Sequence, residues 1–549
     1  MALFKQVALL GLGLFAPSGS HAKAYNNPIL PGWNSDPSCT FVKELDATFF
    51  CTTSSFLAFP GVPVYASKDL VNWKLASNAL TRPEQLPELS FNGQQSEGIW
   101  ASTVRYHEGV LYLITSYVTW SPWGPKILLF RTTDPFNDDA WEGPLRVENP
   151  GNDIDLDLFW DRNGKTYMSV AAGIYISEVD LSTGAAKAPI KVWNGTGDRN
   201  PEGPHIYDKD GFYYLLIGEG GTETNHTATI ARSKSLQGPY EGYDGNPILT
   251  AKNTDEYFQT VGHADLFQDA SGNWWAVALA TRSGPDWEIY PMGRESVLVP
   301  VKWEKGEWPV LDMVRGKMSG PLPERNRNVP GNGHWNRLLS RIKSAEASGL
   351  LAPAQVESLF AVSPKGHPNT LRISPSRVNL TADASFEPKK DGLGFVFRKQ
   401  SSTIFAYSVD VLFDPTEPDE EAGITIFLTF RVEASGKLGE EVPKERTLTI
   451  PKAWLGKPIR LIARASSGSS YVLSAALASA SKEEKVLGHA SASIVSGGSG
   501  PFTGTVLGAY TTSNGGNGKT PAFFSRWRYT PLAQEIADGE PIPLGKRNA

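Results

Sequence analysis

Between residue 25 and about residue 320 the chain alternates short apolar runs with clusters of Gly, Pro, Asn and Asp. Val110 to Tyr117 (VLYLITSY), Thr166 to Ala171 (TYMSVA), Phe212 to Ile217 (FYYLLI) and Trp274 to Ala280 (WWAVALA) set the pattern. Short runs rich in aromatic and β-branched side chains, bounded by turn formers, predict strands. The 3.6-residue apolar period of amphipathic helices is nearly absent. The reading is all-β.

Four of these segments share one outline: an apolar pair, a polar turn, a glycine, then an aromatic strand. They are VRYHEGVLY, LFWDRNGKTY, IYDKDGFYY and LFQDASGNWW, with turn glycines Gly109, Gly164, Gly211 and Gly272. Glycine suits such hairpin turns because it accepts positive φ. TFVKELDATFF is a fifth, weaker copy without the glycine. Five similar antiparallel units predict a five-bladed β-propeller. Counting nine residues back from each turn glycine reaches Trp100, Asp155, Glu202 and His263; the same count from Leu45 reaches Asp36. The first strand of a propeller blade lines the central channel, so these five side chains should converge at one mouth of it. A one-residue slip in any copy would turn its residue to the opposite face.

Residues 321 to 335 (PLPERNRNVPGNGHW) read as a linker, and 336 to 361 carry some helical character. From about 370 to 532 strands return with different spacing, as a second all-β domain. The predicted division is a signal peptide at 1–22, a propeller at 23–322 and a linker with some helix at 323–365. A β-sandwich at 366–534 and a loose tail at 535–549 follow.

Lys5, the apolar run Val7 to Phe15 and the small-x-small triplet Ser20-His21-Ala22 have the form of a secretory signal. The apolar run is too short to span a bilayer. The reading is a secreted, extracellular protein. Cys39 and Cys51 are the only cysteines and flank a hairpin, so in an oxidising compartment a cross-strand disulfide is one reading and two buried thiols the other. Asn194, Asn225 and Asn379 open glycosylation triplets. The net charge of −6 argues against a nucleic-acid surface and a polybasic membrane anchor. Gly218-Glu-Gly-Gly221 lacks the Lys and the following helix that a phosphate loop needs.

Hydrolysis of a glycosidic bond needs one group to protonate the leaving oxygen and another to activate water or attack directly. Carboxyl groups do both when their environments drive their pKa values apart. A third carboxylate beside the acid raises its pKa. An isolated Asp or Glu is most often a surface acid, but Asp36, Asp155 and Glu202 share one register.

Several motifs then carry a family resemblance. Asn34-Ser35-Asp36-Pro37-Ser38, Phe59-Pro60-Gly61-Val62-Pro63, Ser67-Lys68-Asp69-Leu70-Val71-Asn72-Trp73 and Gly98-Ile99-Trp100-Ala101 are four of them. Ile154 to Phe159 (IDLDLF), Pro201-Glu202-Gly203-Pro204, Gly262-His263-Ala264-Asp265-Leu266 and Met292-Gly293-Arg294-Glu295 follow in order. Together they resemble glycoside hydrolase family 43, the β-xylosidases, α-L-arabinofuranosidases and endo-arabinanases that invert the anomeric centre. The resemblance implies a five-bladed propeller. Glu420 to Ile424 and Phe523 to Tyr529 more weakly resemble the concanavalin-like β-sandwich of its β-xylosidase branch. It implies Asp36 as general base, Glu202 as general acid and Asp155 as pKa modulator, with acid and base roughly 6.5–9.5 Å apart. It further implies substrate contacts from Arg294, Trp100, Phe59 and His263. No cofactor is required, though in some members the histidine corresponding to His263 holds a calcium ion. Ser102 and Leu156 stand where members commonly have Pro, and Asp153 and Asp157 flank Asp155 on the same face of a regular strand.

The expected substrate is a xylo-oligosaccharide or arabinoxylan-derived chain, cut from its non-reducing end to release xylose. An α-L-arabinofuranosidase or dual enzyme is the alternative, and a non-catalytic carbohydrate-binding propeller the alternative of another class. No nucleic-acid or membrane partner is expected, and the sequence leaves the oligomeric state open.

Overall fold

A computed structural model describes residues 22–92, 96–171, 173–330, 350–351, 356–380, 387, 391–427, 446–496 and 502–544. The signal peptide expected at 1–22, except Ala22, and most of the linker expected at 323–365 lie outside them. Five antiparallel sheets form the N-terminal propeller. Their innermost strands are Ser38–Val42, Gly98–His107, Ile154–Trp160, Glu202–Lys209 and Phe258–Gln268, in blades one to five. Each is the first strand of its unit, and each packs beside the next, the fifth returning to the first. The ring is closed by the N-terminal segment. Lys23–Asn26 pairs with Lys317–Gly320, and Asn27 bonds the backbone of Leu298 in the third strand of blade five.

The hairpins follow the repeat read from the sequence. Gly109, Gly164, Gly211 and Gly272 all have positive φ. In blade one, where the glycine is missing, Asp46 and Ala47 take positive φ instead, a conformation Asp tolerates better than most residues. Cys39 and Cys51 are register partners in that hairpin and are joined as a disulfide.

A charged knot ties all five blades together. Arg105 of blade two reaches Asp157 of blade three (2.8 Å) and Asp265 of blade five (2.9 and 3.0 Å). His205 and Tyr207 of blade four contact Asp157 and Asp265, and Ser38 of blade one donates to Asp265. Asp157, Asp265 and His205 are almost wholly buried, so their charges and dipoles depend on one another for partners.

The C-terminal domain is a two-sheet sandwich. One sheet contains Phe360–Val362, Leu371–Ile373, Ala522–Ala537, Ile404–Leu412, Ile459–Ser467, Ser470–Leu477 and Lys485–Ser491; the other is Phe395–Lys399, Val506–Thr512 and Glu421–Phe427. Alternate residues such as Phe405, Tyr407, Val409, Val396, Leu507 and Ala509 form its core. The sandwich extends further at both ends than 366–534. Phe360–Val362 already belongs to its larger sheet, and Glu540–Pro543 pairs with Ala522–Ala537. The tail from 535 is held because Arg282, itself buried against Glu295, donates to Gln534 and to the carbonyl of Glu535.

The two domains also meet beside Asp36. The Lys399 ammonium donates to the carbonyl of Trp33 (2.8 Å) and to Asn34 Oδ1 (3.0 Å). A Cβ at Gly32 would stand 2.4 Å from the Gln400 carbonyl oxygen, so only glycine permits this approach.

Candidate active site

Four of the five innermost strands are disturbed at one level, and in blade one the disturbance lies just before the strand. Pairing with the second strand slips between Trp100 and Thr103, Ile154 and Asp157, Glu202 and His205, and Gly262 and Asp265. At these slips Ala101, Asp155, Gly203 and His263 have φ of 36°, 53°, 53° and 47°; Asp36, just before the first strand of blade one, has 55°. Such β-bulges re-aim side chains and break strict alternation. Asp155 and Asp157 would share a face on a regular strand. Here Asp157 joins the charged knot, while Asp155 interacts with Glu202, Asp36 and His263. Asp153 joins neither cluster, and its buried Oδ2 has no hydrogen-bond partner among the described residues; its own N–H donates to Asn149 Oδ1.

The register residues therefore meet. Asp36 accepts from Arg294 Nη1 (3.0 Å) on Oδ1 and from Ser35 and Ser54 hydroxyls on Oδ2. Ser54 in turn accepts from the N–H of Ala101 at the bulge of blade two. His263 Nδ1 lies 4.0 Å from Asp36 Oδ1 and 3.6 Å from Glu202 Oε1, and His226 Nε2 lies 3.3 Å from the same Glu202 oxygen. Arg294 also donates to Thr222 Oγ1 and to the carbonyl of Phe502.

Burial pushes the Asp36 carboxyl up, but Arg294, His263 and the two serine hydroxyls outweigh it and hold it below the usual carboxylate range. Burial pushes Asp155 up to about 7, the negative charges of Glu202 and Asp36 adding to it against His263. Glu202 is drawn down despite its burial by His226 and His263. His263 is raised to about 9, because the three carboxylates outweigh its desolvation. The chemistry available is one ionised carboxylate, Asp36, facing the Asp155–Glu202 pair, in which Asp155 holds a proton up to about pH 7, and the His263 imidazole, which holds one up to about pH 9. A reaction needing both features should lose rate as pH rises through about 7, while Asp36 stays ionised to below the usual carboxylate range. A kcat/KM profile between pH 4 and 9, in about half-unit steps, checks this. The stability sign is the same for Asp155: a folded pKa above the unfolded value favours the fold at low pH, and that contribution is lost as pH rises through 7.

The aromatic wall differs from expectation in one residue. Phe59 is fully buried in the core and its backbone pairs with Leu350, so it cannot stack on a sugar. The ring beside Trp100 is Phe502, stacked at 5.7 Å between centroids and 23° between planes, with the Arg294 guanidinium 5.2 Å from its centroid. Phe56 meets both rings edge-on. Trp120 and Trp123, each more than a third exposed, continue the cluster outward from Trp100. Phe502 belongs to the second domain, some 200 residues from Arg294 in sequence; no motif of the first domain points to it. Phe502→Ala should lower kcat/KM about 10-fold, from loss of a stacked ring, with little change in thermal midpoint.

The sequence model of Glycosyl hydrolases family 43 matches residues 25–309, nearly all of the propeller that carries this site. The chain belongs to that family. The model named Beta xylosidase C-terminal Concanavalin A-like domain matches residues 361–530 of this family 43 chain. A non-reducing end α-L-arabinofuranosidase of Bacteroides ovatus is 32% identical over 94% of the chain and 97% of its own length. A β-xylosidase of Bacillus subtilis is 35% identical over 55% of this chain and 59% of its own. Among solved structures, a xylan β-1,4-xylosidase from Bacillus halodurans superimposes with a TM-score of 0.75 at 26% identity, covering 92% of this chain and all of its own. The chain is thus a family 43 glycoside hydrolase, a propeller with an appended β-sandwich.

Among the described residues no three His, Cys, Asp or Glu side chains are grouped to hold a metal ion. His263 directs Nδ1 at Asp36 and Glu202; no step below passes through a metal. Among those residues, too, no helix is long and apolar enough to cross a membrane.

Proposed function

We propose that this family 43 enzyme is an exo-acting β-xylosidase that removes xylose from the non-reducing ends of xylo-oligosaccharides by single displacement. Asp36 takes a proton from a water molecule as the water oxygen attacks the anomeric carbon. The glycosidic C–O bond breaks, and Glu202 gives its proton to the leaving oxygen. Asp155, close to Glu202 and buried, keeps a proton available to the pair. Arg294 holds Asp36 and offers its remaining donors to sugar hydroxyls. The observation that carries this reading is the meeting of carboxyl groups from three blades beneath a ring supplied by the second domain. Phe502 closes one side of the site, as suits a pocket that takes a chain end.

A second reading is favoured by the Bacteroides ovatus relative, which matches over nearly its whole length and is named an α-L-arabinofuranosidase. Xylopyranose and arabinofuranose can present similar hydroxyl positions to one pocket. Hydrolysis of nitrophenyl β-xyloside and nitrophenyl α-L-arabinofuranoside, compared at equal enzyme, separates the two. Proton NMR of the first sugar released should show the inverted anomer, α-xylose from a β-xyloside. Initial release of the β-anomer would overturn the mechanism, and no release from either substrate would overturn both readings. We further propose that the protein is secreted; the disulfide at Cys39 and Cys51 supports an oxidising destination.

A further inference from the structure

His226 is wholly buried and belongs to none of the motifs by which this site was read. Its position is fixed from three sides. Gly218 and Gly262 flank the ring: a Cβ at Gly262 would stand 2.4 Å from its Cδ2, and one at Gly218 3.3 Å from its Nε2. Larger residues at either place would displace the imidazole. On the third side Nδ1 lies 3.1 Å from the carbonyl oxygen of Thr260. A carbonyl only accepts, so Nδ1 carries a hydrogen and donates it. Thr260 has φ of 57°, a conformation β-branched residues rarely adopt, in the same bulged stretch of strand that presents His263.

With Nδ1 committed, the other nitrogen is committed too. Nε2 has no well-aligned hydrogen-bond partner in the protein and lies 3.3 Å from Glu202 Oε1. With a hydrogen on both ring nitrogens, Nε2–H donates to Oε1, and the proton that Glu202 gives is carried on Oε2. Once that contact is made, the carboxyl group cannot rotate without breaking it. His263 Nδ1 approaches the same oxygen from another side. The charged groups that face this pair are Asp155, Asp36 and His263.

We propose that His226 is a positioning residue for Glu202: it pins Oε1 and so leaves Oε2 as the oxygen that meets the substrate. This rests on Glu202 being the proton donor of the reaction. A carboxyl group free to rotate spends part of its time with the wrong oxygen, or the wrong lone pair, toward the glycosidic bond. Misplacement by about 1 Å is enough to cost roughly 100-fold in rate.

The test compares two leaving groups within each variant. Xylobiose needs a proton on its leaving oxygen; 2,4-dinitrophenyl β-xyloside leaves without one. The expected result for His226→Phe is a kcat on xylobiose lower by about 10- to 100-fold, with kcat on the dinitrophenyl substrate within about 3-fold of wild type. His226→Gln, whose amide can reach Oε1, should recover a measurable part of the loss. Because the readout is a ratio of two rates on one preparation, a reduced folded fraction cancels. Equal losses on both substrates, or an unchanged rate on xylobiose, would overturn the proposal. Glu202→Gln is measured alongside: if it lacks the same leaving-group selectivity, the donor assignment itself fails. If it has the selectivity and both His226 variants do not, only the role of His226 fails.

Discussion

Asp36→Asn is expected to lower kcat on a xyloside by on the order of 10²- to 10⁴-fold, the range for loss of a general base, while sugar binding changes little. The amide is nearly isosteric with the carboxyl group: its oxygen can still accept from Arg294 while its NH2 donates to the Ser35 and Ser54 hydroxyls, so the local geometry should survive. What it cannot do is take a proton. Asp36 suits that task because Arg294 and His263 keep it ionised inside a buried site, where an unpaired carboxylate would otherwise hold its proton. Steady-state kinetics give kcat, and calorimetric titration with xylobiose gives affinity without turnover. A loss under about 10-fold with intact binding would remove Asp36 from the reaction. Loss of binding and rate together would make it a substrate-holding group.

The second large effect is on stability. Arg105→Met should destabilise the propeller by about 3–5 kcal/mol, the scale for stripping one partner from a buried ion pair. Methionine keeps much of the arginine stem's apolar contact. It leaves Asp157 and Asp265 buried with no guanidinium between them, and removes a side chain that touches partners from all the other blades. The pH dependence gives a second check. Asp265 is desolvated, yet Arg105, His205 and Ser38 hold it below the usual carboxylate range. Its folded pKa is thus below the unfolded value, so its contribution is present above the usual carboxylate range and lost as pH falls through the folded value. In Arg105→Met the same carboxyl group gains by protonation instead. The stability gap between wild type and variant should therefore narrow on acidification toward about pH 4, measured by urea midpoints. A gap that is absent, or that widens in acid, would mean that packing and not charge holds the blades there.

The fold class, the number of blades and the positions that meet at the channel mouth were all legible in local pattern. Strands announce themselves by alternation and by turn glycines. A propeller repeats one supersecondary unit, so counting from Gly109, Gly164, Gly211 and Gly272 carries a position from blade to blade. What the count could not supply was orientation. Asp153, Asp155 and Asp157 are equivalent under a two-residue period, and only the bulge, a backbone conformation set by packing around the channel, separates the one that meets Glu202 from the one that binds Arg105. Phe59 differs from expectation for a related reason: a motif gives proximity in sequence, whereas exposure depends on what covers the ring, here the packed core around it. The closure of the sandwich over the first domain, with Phe502 on Trp100, Lys399 on Trp33 and Asn34 and Gln534 on Arg282, had no local signature. Sequence alone determined the elements, their repeat and the acidic residues available for chemistry, because those depend on neighbours along the chain. Which acids share protons, and which rings wall the site, was decided only in three dimensions, because burial and charge act through space.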